Sequence, residues 1–142
     1  MGNRVFFTDP NGTKDIITDT GNLKRRVIDS FSEFWIQGSG DGYLEFYEDD
    51  ELISTLMLGP NVDYGLYLHF IDRMNHMELL SLYDENRLSE VAETAEEIYA
   101  SIGLFLPVEL AWEGILEFVK TGEASSKIRW IMPDQIPENG NW

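Results

Sequence analysis

The fold of this chain is decided by Leu106-Pro107-Val108-Glu109-Leu110-Ala111-Trp112 and by the Phe118, Thr121-Gly122 and Ile128-Arg129-Trp130 that follow it. Pro107 suits the first position of a helix, and Gly122 suits the position just past its end. Glu109 in the first turn and Lys120 in the last turn complement the helix dipole. The apolar residues between them share one helical face: Val108, Ala111, Trp112, Ile115, Phe118 and Val119. The stretch predicts a helix over 107–121 and a short strand at 128–130.

A second helix is predicted upstream, where apolar residues are again three or four positions apart. Its apolar residues are Leu23, Val27, Ile28, Phe31 and Phe34, after a turn signal at Asp9-Pro10-Asn11-Gly12 and the segment Thr20-Gly21-Asn22. We place this helix at about 22–31. From Glu33 onward the apolar period is two, so Phe34 and Ile36 are predicted to begin a strand.

The middle of the chain has the alternation typical of an antiparallel sheet. Turn-forming runs at Gly38-Ser39-Gly40-Asp41-Gly42 and Glu48-Asp49-Asp50-Glu51 separate the strands, and Gly59-Pro60 is expected to end one of them. The predicted strands are 43–47, 52–58, 64–71 and 77–83, although 64–71 could equally be a short buried helix. The fold class is therefore α+β, with a mostly antiparallel sheet and two packing helices, at about 22–31 and 107–121.

Residues 88–102 admit two interpretations. A helical stripe is formed by Leu88, Val91, Ala92, Ala95, Ile98, Tyr99 and Ile102. The glutamates in the same stretch, Glu90, Glu93, Glu96 and Glu97, also fit strand and loop positions. The pattern alone favours a helix, and both alternatives stay open.

Size and composition predict one globular domain. The chain has 142 residues, 43% of them hydrophobic, which is enough for one core without disulfides or a metal. It has no cysteine, which excludes disulfides, thiolate zinc sites and cysteine nucleophiles and fits a reducing cytosol. Neither a secretion signal nor a membrane-spanning run is visible, so we expect a cytoplasmic protein. We expect the domain to cover 1–142, with an irregular tail at about 132–142.

The net charge of -16 is unevenly distributed along the chain. Residues 1–30 are nearly neutral, whereas residues 31–142 contain 22 acidic and five basic side chains. A negative field of this size repels nucleic acid and anionic membranes, and it attracts basic proteins. The charge therefore argues against direct nucleic-acid or membrane binding. It favours a basic protein partner, with the alternative that the acidic surface only keeps the protein soluble.

Catalytic and metal sites have little support in the sequence. His69, Asp72 and His76 form a histidine cluster, but a turn predicted at 72–76 would separate them. The carboxylates at 41–51 and 84–85 match no calcium-binding loop, and no Gly-x-Ser-x-Gly motif is present. We therefore expect no catalytic residue, metal or cofactor, and a carboxylate-based hydrolase is the third hypothesis.

Aromatic residues are the more informative set, because about half of those on alternating strands should face outward. Tyrosine beside carboxylates is a good protein-binding surface. The set is Trp35, Tyr43, Phe46, Tyr47, Tyr64, Tyr67, Tyr83 and Tyr99. It favours a basic protein partner over a small-molecule pocket.

The pattern Leu106-Pro107-x-Glu109-x-Ala111-Trp112, with Glu117-Phe118, Thr121-Gly122 and Ile128-x-Trp130, resembles immunity protein family one of bacterial polymorphic toxin systems. The resemblance covers about 30–131, and its distinctive part is 104–131. It implies a small cytosolic α+β protein that blocks a toxin delivered by neighbouring cells, often one that deaminates bases in nucleic acid. It also implies an extended segment at 88–102 and core positions for Trp112, Phe118 and Trp130.

The leading hypothesis is an immunity protein that occludes the basic active site of a toxin's C-terminal domain by stoichiometric binding. The alternative is an acidic regulatory or scaffold module that binds another basic protein, for instance through an exposed sheet edge. The expected toxin-binding residues are Tyr47, Glu48, Asp49, Asp50, Asp84, Glu85, Glu90, Glu93, Glu96 and Glu97.

Overall fold

The computed structural model describes residues 2–95 and 98–142. The strands are β1 (Asn3–Thr8), β2 (Lys14–Ile16), β3 (Gly42–Glu48), β4 (Glu51–Asn61), β5 (Gly65–Asp72), β6 (Met77–Leu82), β7 (Val91–Ala95), β8 (Ile98–Ser101), β9 (Phe105–Leu106) and β10 (Arg129–Ile131). The α-helices are α1 (Thr20–Lys24), α2 (Phe31–Phe34) and α3 (Val108–Thr121). A π-helical turn at Arg25–Asp29 joins α1 to α2, and short 3-10 turns lie at Glu85–Arg87, Ile102–Leu104 and Pro133–Gln135.

The strands form one large antiparallel sheet and one small hairpin. The order in the large sheet is β10-β6-β5-β4-β3-β1-β2, and β9 pairs with β5. The hairpin consists of β7 and β8. The predicted α+β class is confirmed, and the segment predicted at 64–71 is the strand β5, over Gly65–Asp72, rather than a helix.

The helix α3 packs across one face of the large sheet. Leu44 and Phe46 on β3 and Leu68 and Phe70 on β5 point toward this face, because alternate residues of a strand share a side. The fully buried Phe118 lies between the rings of Phe46 and Phe70, with centroids 6.2 and 6.3 Å away and edge-to-face geometry. These three rings join α3 to β3 and β5 near the middle of the sheet.

The C-terminal end of α3 has the glycine stop that the sequence predicts. Gly122 has φ of 73°, in the left-handed region, and its amide donates to the Phe118 carbonyl at 2.7 Å. The Ser54 hydroxyl on β4 donates to the Gly122 carbonyl at 2.5 Å, so the end of the helix is attached to the sheet. Pro107 precedes the first helical residue, and Trp112 and Trp130 are half-buried against the core.

Helical backbone is present where the upstream helix is predicted at about 22–31, but it begins at Thr20, ends at Asp29 and is α-helical only as far as Lys24. The Asp19 carboxylate accepts from the Gly21 amide at 2.9 Å and caps the N-terminus of α1. Leu23, Val27 and Ile28 then join the same core as α3. The turn predicted at Asp9–Gly12 is also present and joins β1 to β2, two strands that the sequence pattern did not reveal.

The strand predicted from Glu33 is wrong, because Phe31–Phe34 is helical. Helical hydrogen bonds join the Phe34 amide to the Ser30 carbonyl at 2.8 Å and the Trp35 amide to the Phe31 carbonyl at 3.2 Å. Stacking of Phe34 on Phe7, with centroids 6.0 Å apart, holds this turn over β1. Aromatic contacts from a distant strand therefore override the local alternation.

The predicted end of a strand at Gly59-Pro60 is also wrong, because β4 continues to Asn61. Its last three residues pair with β5, Pro60 opposite Leu66 and Asn61 opposite Gly65. Proline is tolerated here because β3 begins at Gly42, opposite Leu58, so Pro60 lies beyond the end of β3 and has only one neighbouring strand to satisfy.

Residues 91–95 and 98–101 are extended, so the helical alternative for the described part of 88–102 is wrong. The hairpin is held by pairing of Val91 with Ser101 and of Glu93 with Tyr99. It lies over β4, with Thr94 packed against Gly59. The contact is so close that a Cβ at position 59 would lie 2.5 Å from the Thr94 hydroxyl oxygen. Behind it, a second core forms from Tyr67, Leu80, Leu82, Ala100, Leu104, Phe105 and Ile131.

Replacing Phe118 by alanine should lower the free energy of unfolding by about 3–5 kcal/mol, because a fully buried ring between two others leaves a cavity. Urea denaturation measures this loss. The control is Lys120→Ala on the exposed side of the same helix, with an expected change of less than about 0.5 kcal/mol. A loss below about 1 kcal/mol for Phe118→Ala would show that the core tolerates the cavity.

Candidate functional site

The first group of predicted toxin-binding residues lies at the turn between β3 and β4. Glu48 pairs with Glu51, which leaves Asp49 and Asp50 as a two-residue turn. Both aspartates have positive φ values, 49° and 73°, as such turns require. The Asp49 carboxylate accepts from the Gly2 amide at 2.9 Å, and Asp50 forms an ion pair with Arg4. The N-terminal strand therefore engages part of this acidic turn, beside the half-buried Tyr47.

The second group lies after β6 and on β7. The Asp84 carboxylate accepts from the Asn86 amide at 3.0 Å and caps a 3-10 turn. Glu85 is 3.5 Å from Arg129, and Glu90 is 3.2 Å from Arg87. Glu93 is exposed on β7. Glu96 and Glu97 lie outside the described residues.

The two groups lie at opposite ends of the sheet. The β3–β4 turn adjoins Glu51, where β4 begins, whereas the Asn61 side chain at the other end of β4 donates to the Glu93 carbonyl at 2.9 Å. A strand rises about 3.3 Å per residue, so these ends are about 33 Å apart along β4. The predicted residues that the structure describes therefore form two separate acidic regions, and a single small partner surface could contact only one of them.

A groove of about 490 Å³ opens beside the second acidic region. We name it the α2–β4 groove. Its apolar lining consists of Phe31, Trp35, Ile36, Pro60 and Val62, and Glu93 and Thr94 contribute from β7. Ile36 is 79% exposed and Val62 is 75% exposed, so neither contributes appreciably to the core.

The sequence pattern does not predict the groove, because the alternation from Glu33 places Ile36 on a strand and nothing in the pattern gives Val62 a role. One signal was available. Ile36 precedes the turn-forming run Gly38–Gly42, and Val62 stands between Asn61 and Asp63 in a polar turn. An aliphatic residue in a turn has no strand partner to bury it, so such residues are candidates for surface contacts.

The aromatic residues divide between core and surface about as expected. Trp35, Phe46 and Tyr67 are buried, Tyr83 and Tyr99 are exposed, and Tyr43, Tyr47 and Tyr64 are half-buried. The buried Tyr67 hydroxyl has no hydrogen-bond partner within residues 2–95 and 98–142, and burial raises the pKa of Tyr67 far above its usual range. Tyr67 therefore stays neutral and packs in the second core.

The histidine cluster does not assemble into a site. His69 points to the face of β5 opposite to Asp72, and its Nε2 is 2.7 Å from a Glu78 carboxylate oxygen. Asp72 accepts from the Met74 and Asn75 amides at 3.0 and 3.1 Å, and His76 is exposed in the same turn. No group of three or more potential metal ligands lies together in the described part of the chain.

No family model, curated protein or solved structure matches this chain. Among the described residues, no helix has both the length and the apolar character needed to cross a membrane.

Acidification should destabilise the fold through His69. Burial lowers the pKa of His69 below its ordinary 6.5, and the Glu78 carboxylate acts against this shift. The unfolded chain therefore binds the proton first as the pH falls. The contribution of neutral His69 is complete above about pH 6.5 and is lost as the pH falls toward the lowered pKa.

Urea denaturation between about pH 8 and about pH 5 tests this linkage. The wild type should lose more stability on acidification than His69→Gln, which cannot take up the proton. Glu78→Gln removes only the charge that favours protonated His69, so this variant should lose the most stability of the three on acidification. Parallel profiles for the wild type and His69→Gln would contradict this account.

Proposed function

We propose that this chain is an immunity protein that inhibits a cognate bacterial toxin, of the class that deaminates nucleic-acid bases, by covering the toxin's basic active site. The resemblance of 104–131 to immunity protein family one supports this class of function. The confirmed α+β fold and the extended segments at 91–95 and 98–101 agree with what that resemblance implies.

The observation that carries the proposal is the uncompensated negative charge of the surface. Within residues 2–95 and 98–142, seven of the ten Lys and Arg side chains lie within 4.0 Å of a described carboxylate. These pairs use seven described carboxylates, and the sequence has 26 acidic against ten basic side chains, so the acidic residues far outnumber the bases that could neutralise them. The field around the protein therefore favours a basic partner.

A toxin that acts on nucleic acid presents such a basic surface. It must hold phosphates with Lys and Arg, and enzymes that modify bases draw the target base into a pocket. An acidic protein seated over the same cleft competes with the nucleic acid for these cations. Charge complementarity speeds the encounter, and a few buried apolar contacts determine how long the complex lasts.

Co-expression tests the proposal. If a large toxin gene lies next to the gene for this chain, cells that produce that toxin's C-terminal domain should grow only when this chain is also produced. The two proteins should co-purify in a fixed ratio. Absence of both rescue and co-purification would overturn the proposal, and a stand-alone gene would favour an acidic scaffold module instead.

Association with that toxin domain should depend strongly on salt. Raising the ionic strength from about 20 mM to about 150 mM shortens the Debye length to about 8 Å, so long-range attraction is screened. We expect the association rate constant to fall about tenfold or more, measured by stopped-flow fluorescence, with a smaller change in the dissociation rate constant. An association rate independent of salt would show that charge does not guide binding.

A further inference from the structure

We propose that the α2–β4 groove is the docking site for a toxin loop that inserts a bulky apolar side chain flanked by Lys or Arg. This inference rests on the proposed function and names the surface that performs it. The groove lies at one end of the sheet, so it selects the second acidic region over the β3–β4 turn.

The size of the groove suits a protruding side chain. Its volume of about 490 Å³ falls within the range of about 300–1,000 Å³ that is usual for ligand pockets. Ile36 and Val62 line it and are almost fully exposed, at 79% and 75%. Single exposed aliphatic residues are common, and here two of them line the same concave surface.

The walls of the groove are held in place before any partner binds. The Trp35 indole nitrogen donates to the Val27 carbonyl at 3.0 Å, and its ring packs against Phe34 with centroids 5.0 Å apart. The Ser39 amide donates to the Pro10 carbonyl at 2.8 Å, which ties the loop after α2 to the turn between β1 and β2. A preformed groove loses little conformational entropy when it is filled.

Charge determines which partner the groove accepts. The segments that build it, 31–41, 60–63 and 91–95, contain no Lys or Arg, and their charged residues are Glu33, Asp41, Asp63 and Glu93. A second copy of this chain would bring like charges together, and nucleic acid would be repelled. A partner loop with an apolar side chain beside Lys or Arg matches both the apolar lining of the groove and the acidic residues of the segments that build it.

Substitution at Ile36 tests the groove with the toxin domain. Ile36→Arg places bulk and positive charge in the groove, and its exposure predicts little effect on folding. The matched control is Met74→Arg, which makes the same charge change at an exposed residue of the β5–β6 turn. We expect Ile36→Arg to raise Kd by about tenfold or more and Met74→Arg to leave Kd nearly unchanged.

The outcomes separate the two proposals. If the wild type binds the toxin domain and Ile36→Arg binds equally well, the groove is not the contact surface, although the proposed function stands. If the wild type does not bind the domain at all, the proposed function fails. In that case a probe that does not depend on the toxin tests whether the groove binds an apolar side chain flanked by basic residues.

That probe is the peptide acetyl-Arg-Leu-Arg-amide, titrated into isotope-labelled protein and followed by amide chemical shifts. We expect saturable shifts at Ile36, Val62 and Thr94, with Kd near about 1 mM, and their loss in Ile36→Arg. Acetyl-Glu-Leu-Glu-amide should give no such shifts. Shifts centred on the β3–β4 turn, no saturable shift, or a concentration-dependent dimer in analytical ultracentrifugation would overturn the docking proposal.

Discussion

The packing of Phe118 between Phe46 and Phe70 is the contact on which the rest of the structure depends. Phe46 and Phe70 belong to β3 and β5, and β4 lies between these strands. One helical side chain therefore fixes the distance and angle of α3 against the middle of the sheet. The Ser54–Gly122 hydrogen bond fixes the end of the same helix, and the upstream helical segment then covers the remaining apolar surface over β1.

The length of β4 determines where the candidate binding surfaces lie. This strand has 11 residues and extends past β3 at one end, so the sheet has two distinct ends. At the first end the β3–β4 turn engages the N-terminal strand through Gly2 and Arg4. At the second end the extra residues of β4 contact the β7–β8 hairpin, and they line the α2–β4 groove together with the loop after α2. A concave surface forms there because three separate segments meet around one protruding strand.

Negative charge and apolar shape have different roles on this surface. Long-range attraction comes from the excess of carboxylates over bases, and it acts on any basic partner. A charged surface alone provides little affinity, because exposed ion pairs contribute little free energy. The α2–β4 groove adds shape and apolar area at one place in the negative field, and a combination of this kind selects one partner among many basic proteins.

The local sequence determined the elements whose signals are complete within a few residues. Helix α3, the glycine stop at Gly122 and the turn at Asp49-Asp50 were all predicted, because caps, turn residues and amphipathic spacing are local properties. The acidic character of the surface also follows from composition alone.

Tertiary structure decided the segments whose local signal was ambiguous or misleading. Residues 31–34 are helical because Phe34 stacks on a distant strand, and 91–95 is extended because it pairs with β8 and lies on Gly59 of β4. The described residues of the predicted contact set are divided between two ends of the sheet, and the groove brings together residues from 31–40, 60–62 and 93–94. Periodicity reports which face of an element is apolar, but it carries no information about which distant element will cover that face. The charge of the candidate binding surface was therefore predictable, whereas its location required the fold.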